Sequence, residues 1–313
     1  MAVFTNITLD DAQGFCARYP DIDAISSIQP IAEGTDNSNF ILETDTRKYI
    51  LTIFEGRIPA TDLPAMFDFA QQLSSVVPTP IVYRDKNGEQ LNVLKDKPAA
   101  LISFLSGKSC NTPEESHCHQ LGQMLGKMHS VKIASDLHPN PLSVQKWHEL
   151  YRDNVVVIQK HGAGKLIERL MARIDAEWPK DEIPYGPIHA DIFPDNVFFE
   201  SGHISGLIDF YFSCRDFYIY DLMLALNAWC FDAKGSAQGP LIRTFLQAYT
   251  DERRLNNAEH EYLSLMGQAA ALRIALTRFR DLEKPGHFTP RDPMAYVNII
   301  KFYQQNEIRD YLS

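Results

Sequence analysis

Short runs of alternating or β-branched residues dominate the first third of the chain, and longer stretches with apolar residues three or four apart dominate the rest. Asn39-Phe40-Ile41-Leu42-Glu43-Thr44 and Lys48-Tyr49-Ile50-Leu51-Thr52-Ile53-Phe54 are rich in β-formers. The turn Asp45-Thr46-Arg47 between them predicts a hairpin. Met66, Phe69 and Leu73 stand at helical spacing and predict a helix over 63–76, with Pro64 tolerated in its first turn. Ile81-Val82-Tyr83 and the segment 89–94 flank Asp85-Lys86-Asn87-Gly88 and read as a second hairpin. A fifth strand is expected over 98–105, ending at Ser106-Gly107.

After Gly107 the pattern turns helical. Thr112 ahead of Pro113-Glu114-Glu115 reads as a helix N-cap, and Leu121, Met124, Leu125 and Met128 continue that helix. Further helices are expected over 142–161, 163–178, 221–231, 241–249, 259–281 and 293–311, with a short β-rich section between the second and third of these. No repeat or low-complexity linker interrupts them. The expected class is α+β: a small β-rich N-terminal lobe over 1–103 and a larger, mainly helical C-terminal lobe over 104–313, joined near 103–107.

Composition narrows the choice of partners. Forty acidic against thirty basic residues give a formal charge of −10, which argues against nucleic acid or an anionic membrane surface. It does not argue against ATP, which is gripped by local N–H groups and Mg²⁺. No basic region followed by an apolar one opens the chain, and no apolar run is long enough to span a bilayer. Cys16, Cys110, Cys118, Cys214 and Cys230 are odd in number and irregular in spacing, which fits reduced thiols in the cytoplasm. Cys110, His117, Cys118 and His119 lie close together but lack zinc-ligand spacing, and read as residues of a helix start.

The chemistry concentrates in His189-Ala190-Asp191-Ile192-Phe193-Pro194-Asp195-Asn196, followed by Leu207-Ile208-Asp209-Phe210. Phosphoryl transfer needs one carboxylate to orient the attacking hydroxyl, and a carboxylate and an amide to hold Mg²⁺ against the phosphates. The form His-x-Asp-x-x-x-x-Asn with a later Asp supplies all three. Asp191 is the candidate catalytic residue, with His189 bracing the same loop, and Asn196 and Asp209 are the candidate metal ligands. Gly34-Thr35-Asp36-Asn37-Ser38 precedes a strand, and its small polar residues let backbone N–H groups approach a phosphate. Asp221 reads as an N-cap and Asp216 as a loop acceptor. Asn227 and Trp229 sit in an apolar helix, where Asn227 needs a polar partner that a substrate could supply. Arg273, or second Arg280, could clamp a substrate carboxylate.

At these residues the chain resembles the homoserine kinases related to aminoglycoside and choline kinases. The strings that carry it are Gly34-Thr35-Asp36-Asn37-Ser38-Asn39-Phe40, Tyr49-Ile50-Leu51-Thr52-Ile53-Phe54-Glu55, the Asp191 and Asp209 motifs, and Leu226-Asn227-Ala228-Trp229-Cys230-Phe231. The resemblance implies a bilobal protein-kinase-like fold and ATP-dependent transfer to the side-chain hydroxyl of L-homoserine, a step towards threonine. It implies that adenine meets the backbone around Ser103 and Leu105. Two departures stand out. Kinase-like folds carry a phosphate-binding Lys or Arg on the third strand, where this chain has Thr52. Lys48, on the same strand face, or Arg57 is the expected substitute. Ala190 stands where relatives often have Gly. Choline, hydroxylysine, methylthioribose or an aminoglycoside are the alternative acceptors, and a non-catalytic nucleotide-binding role is the alternative from another class.

Overall fold

The computed structural model describes residues 4–31, 37–56, 58–179, 183–282 and 291–312. The chain divides into two compact units, Met1–Gly107 with Ser205–Tyr211, and Lys108–Ile204 with Phe212–Ser313.

The first unit opens with α1 (Leu9–Cys16), fixed by a capping box in which Thr8 and Asp11 satisfy each other's backbone N–H groups. Strands β1 (Ser27–Ile31), β2 (Asn37–Glu43) and β3 (Lys48–Phe54) precede α2 (Leu63–Leu73), and β4 (Asn92–Leu94) and β5 (Lys97–Ser103) follow it. They form one sheet in the order β1-β2-β3-β5-β4, with every pairing antiparallel. The two-residue periodicity of a strand sorts the side chains. Phe40, Leu42, Tyr49, Leu51, Ile53, Ala99 and Leu101 join Phe15 of α1 in the buried core of one face. Asn39, Ile50, Thr52 and Phe54 take the other, with Asn39 opposite Thr52 in the register.

The second hairpin is built differently from its sequence expectation. Asp85 does make a turn, its carboxylate accepting the N–H groups of Asn87 and Glu89. The strand that follows, β4, pairs with β5 instead of with 81–83. Lys95 and Asp96 close that hairpin with φ of 51° and 60°, the backbone that suits the twist of a two-residue turn. Residues 205–211 return to this unit: Leu207 N–H donates to the Pro78 carbonyl, and Phe210 lies edge-on to Phe69 of α2.

The second unit holds β6 (Lys108–Ser109), α3 (Glu115–Met128), α4 (Val144–Asp153), α5 (Val155–Lys160), α6 (Gly164–Glu177), β7 (Tyr185–Ile188), β8 (Val197–Glu200) and the start of β9 (His203–Leu207). It continues with β10 (Cys214–Phe217), α7 (Tyr218–Trp229), α8 (Gly239–Glu252), α9 (Asn257–Leu282) and α10 (Met294–Gln305). β7 and β10 form an antiparallel pair, and β6 pairs with β8. α3 and α8 meet at Gly122 and Gly126, where a Cβ would stand 2.4 Å from the Phe245 carbonyl oxygen and 2.8 Å from that of Tyr249. α9 is buried along most of its length, from Leu263 to Phe279, as its apolar character on all sides requires.

The helix expected over 142–161 is two helices, broken at Asn154, whose side chain turns back to the Leu150 carbonyl. The cap of α3 is Glu114 rather than Thr112, and His117 Nδ1 completes it by accepting the Glu114 N–H. The five cysteines are free thiols. Among the described residues no helix is long and apolar enough to cross a membrane.

Candidate active site

The loop after β7 is held from behind by one buried carboxylate. Asp221 lies inside α7 rather than capping it, and is fully buried. Its Oδ1 accepts the Ala190 N–H at 2.8 Å. Its Oδ2 accepts the His189 N–H at 3.1 Å and the His129 Nε2–H at 3.2 Å. Burial alone would raise this carboxyl. The hydrogen bonds from His129 and the Ala190 N–H outweigh it and hold Asp221 below the ordinary carboxylate range. Burial pushes the His129 imidazole down, towards its neutral form. The neutral ring donates from Nε2 and accepts the Tyr249 O–H at Nδ1, 2.9 Å away, while Arg253 donates to the Tyr249 oxygen.

This clamp sets the backbone that carries Asp191. Ala190 sits at φ 62°, a left-handed conformation that costs a non-glycine residue about 1–2 kcal/mol. His189 is fully buried, and its Nδ1 accepts the Asp191 N–H at 3.2 Å. It positions the loop and does not face an acceptor. Trp229 Nε1–H donates to the Ile192 carbonyl at 2.9 Å. Trp229 therefore braces the same loop from α7 instead of lining a substrate pocket. Asn227 uses its whole amide internally: Nδ2 donates to the Gly267 carbonyl, and Oδ1 accepts the Tyr303 O–H at 2.7 Å. Its burial needs no ligand. Asp216 accepts the Asn140 amide and its neighbour Phe217's N–H.

Asn196 ends a short 3₁₀ turn of residues Pro194–Asn196. Its Nδ2 donates to both the Asp191 carbonyl (2.8 Å) and the Asp191 Oδ2 (3.1 Å). Both donor hydrogens are thereby engaged, which leaves Oδ1 as the atom for a cation. Asp209, in the first unit, offers a carboxylate from a backbone at φ 65°. An amide oxygen and a carboxylate oxygen are the hard donors that Mg²⁺ prefers, so both residues fit that ion.

Arg273 of α9 completes the surroundings of Asp191. The residue is 4% exposed, and its guanidinium lies 3.8 Å from Asp191 Oδ1 and is seated over the Phe212 ring with 5.2 Å to the centroid. Asp191 is its ion-pair partner among the described residues. Arg280 is spent elsewhere, its fork closed on Asp281 at 2.9 and 3.2 Å. Arg278 lies over Tyr296 and donates to the Asp292 carbonyl. Arg291, which carries no helical or motif signal, donates to Asp195 at 2.7 Å. Arg273 and Arg291 thus each meet a carboxylate of the loop.

The residues expected to meet the nucleotide lie in the first unit. Gly34, Thr35 and Asp36 fall outside the described residues, as does Arg57. Asn37 accepts the Glu55 N–H at Oδ1. The Ser38 hydroxyl is fully engaged, donating to Glu55 and accepting from the Phe4 and Thr5 N–H groups. Its side chain is thereby spent within the first unit. Lys48 is half exposed and pairs with Glu43 at 2.7 Å, at the far end of β3 from Phe54. Lys48 and Ser103 line one cavity of about 550 Å³ together with Arg47, Tyr83 and Phe104. Leu105 packs against Gly206, where a Cβ would come within 3.0 Å of it. Thr52 is buried, and its hydroxyl donates to Asn39 Oδ1 at 2.7 Å.

Residues 27–256 match the phosphotransferase enzyme family. The homoserine kinase of Parvibaculum lavamentivorans is 41% identical over 97% of this chain and 96% of its own length. That of Rhizobium meliloti is 41% identical over 97% and 95%. Among solved structures, a microcompartment-associated aminopropanol kinase superposes with a TM-score of 0.71 at 15% identity, covering 98% of this chain and 99% of the other. A spectinomycin phosphotransferase bound to ADP and spectinomycin gives 0.68 at 15% identity, with 99% of each chain covered. The likeness to these two structures is one of fold.

Proposed function

Because the chain belongs to the phosphotransferase enzyme family, and within it to the homoserine kinases, we propose that it transfers the γ-phosphoryl group of ATP to the side-chain hydroxyl of L-homoserine. The products are ADP and O-phospho-L-homoserine, the precursor used in threonine synthesis, and the place of action is the cytoplasm. The observation that carries this reading is Arg273 beside Asp191. A guanidinium buried next to the catalytic carboxylate is stabilised by an anion. It suits an acceptor that brings a carboxylate, and it opposes a polycationic one.

In this reading Asp191 receives the acceptor hydroxyl and orients its oxygen towards the γ-phosphorus, taking the proton as the bond to phosphorus forms. Arg273 binds the acceptor carboxylate in a planar, two-bonded fork. His189, Asp221 and Trp229 hold the loop so that this orientation is set before the acceptor arrives. Asn37 and Ser38 present backbone groups to the phosphates, and the backbone around Ser103 and Leu105 meets adenine. Asn196 Oδ1 and the Asp209 carboxylate would each offer a hard oxygen to Mg²⁺, which when bound would offset phosphate charge.

The test is ADP release from Mg·ATP with L-homoserine, L-serine, choline, hydroxylysine, methylthioribose and kanamycin as separate acceptors. Turnover with homoserine well above the rest is expected. Preference for another acceptor would overturn the substrate while keeping the chemistry.

A further inference from the structure

The hydrogen bonds behind the catalytic loop do not end at Asp221. They run back through His129 and Tyr249 to Arg253, all within the second unit. Arg253 stands just past the end of α8, and one guanidinium nitrogen donates to the Tyr249 oxygen at 3.2 Å. The guanidinium lies over the Tyr218 ring, 5.1 Å from its centroid, and another of its nitrogens meets Glu259 Oε1 at 2.8 Å. Glu259 is held in turn by a reciprocal cap: its Oε2 accepts the Asn256 N–H, and its own N–H donates to Asn256 Oδ1. Tyr249 is fully buried, and its ring stands edge-on to that of His129.

Donor and acceptor capacity leaves this chain a single direction. A guanidinium only donates, so Arg253 occupies a lone pair of the Tyr249 oxygen and leaves its one proton for His129 Nδ1, 2.9 Å away. Burial pushes the Tyr249 phenol up, so it keeps the proton it donates. An ionised carboxylate only accepts, so the neutral imidazole carries its proton on Nε2, facing Asp221 Oδ2. With the proton on Nδ1 instead, the ring would meet a Tyr249 oxygen already taken by Arg253, and Asp221 would lose a donor. We infer that Tyr249 and Arg253 are positioning residues for the transfer reaction: Arg253 turns the Tyr249 hydroxyl onto His129, which fixes the imidazole tautomer that holds Asp221 and, through the His189 and Ala190 N–H groups, the backbone that aims Asp191. The inference rests on the reading of Asp191 as the catalytic carboxylate. It makes the turn after α8 part of the catalytic apparatus, although it touches neither substrate.

Tyr249→Phe cuts the chain at its middle. Arg253→Met paired with Glu259→Gln cuts it at its start without leaving a buried carboxylate unpaired. In the ligand-free protein, amide hydrogen exchange at His189 and Ala190 should quicken roughly three- to tenfold in each, and stay as in the wild type over the middle of α3 and α8. The kcat with homoserine should fall about tenfold, with the KM values for homoserine and ATP unchanged. Arg253→Lys, which keeps a cation able to donate to the Tyr249 oxygen, should retain most of the rate that the paired variant loses. Nitrogen NMR of the wild type should show His129 protonated at Nε2 and bare at Nδ1. The opposite tautomer would overturn the inference, as would unaltered exchange at His189 and Ala190 in Tyr249→Phe. Exchange quickened equally along α3 and α8 would also overturn it, since that marks lost packing alone, and so would quickened exchange with an unchanged kcat. An Arg253→Lys variant as slow as the paired one would take Arg253 out of the chain. Asp191→Asn separates the two levels: if it turns over near the normal rate, the catalytic reading fails, while exchange and tautomer still decide the chain.

Discussion

The Arg273 guanidinium lies 3.8 Å from the Asp191 carboxylate, behind the ring of Phe212 and almost out of solvent. At this distance the pair gains attraction without a direct hydrogen bond, so the planar fork of the arginine is still able to take a carboxylate. Arg273→Lys keeps the charge and loses the fork. We expect kcat/KM for homoserine to fall about ten- to a hundredfold, mostly through KM, with the ATP KM unchanged. Steady-state kinetics with each substrate varied in turn will show this, and an unchanged homoserine KM would remove Arg273 from the acceptor site.

Asp191→Asn keeps the size of the side chain and removes its basicity. Turnover should drop at least about a hundredfold. Mg·ATP binding, measured by calorimetry, should stay as in the wild type. A variant that turns over near the normal rate would move the catalytic role to another group.

Ala190 carries a left-handed backbone that glycine adopts freely. Ala190→Gly relieves about 1–2 kcal/mol of strain and adds about 0.5–1 kcal/mol of unfolded-state entropy. Net stabilisation of about 0.5–1 kcal/mol is expected from urea denaturation. A loss of stability would show that the packing of the buried methyl group outweighs the strain.

Acid should weaken the clamp behind the loop in two stages. His129 is pushed below its ordinary value by burial, so its contribution is complete above about pH 6.5 and is lost as pH falls below it. Asp221 is also lowered, so its contribution is present above about pH 3.9 and is lost as pH falls through its folded value. The melting temperature, followed from pH 8 to pH 4, should fall less steeply between pH 6.5 and pH 5 in His129→Gln than in the wild type. Equal slopes would mean that other histidines set the acid response.

The strands β2 and β3 and the tight loop after β7 were legible because their signals are local. A His-x-Asp-x-x-x-x-Asn spacing and a run of β-formers need no knowledge of distant residues. What the sequence hid was mostly long-range pairing. The Asp85–Gly88 turn looked like the centre of a hairpin and exists as a turn, yet β4 chose β5 because Lys95 and Asp96 make a tighter one. Asn227 and Trp229 read as substrate residues because polar atoms in an apolar helix need partners. Those partners proved to be Gly267, Tyr303 and Ile192, all distant in sequence. Asp221 read as a cap because its position near a helix start was visible, whereas the two N–H groups 31 and 32 residues before it were not. Arg291 and His129 carried no signal, since neither periodicity nor a motif marks a side chain that acts on a loop about a hundred or sixty residues away.

The carboxylate of Asp221 has a consequence for how such a protein changes its acceptor. Its bonds reach the loop from α7 and the end of α3, whereas Arg273 comes from α9 and Arg291 from the approach to α10. In the proposed function, reactivity and selectivity would therefore rest on two separate sets of elements. Substitutions on α9 and α10 can reshape what the loop accepts without disturbing how its carboxylate is aimed. The chain is in this sense divided into an engine mount and an exchangeable fitting, and inheritance could rework the second while leaving the first untouched.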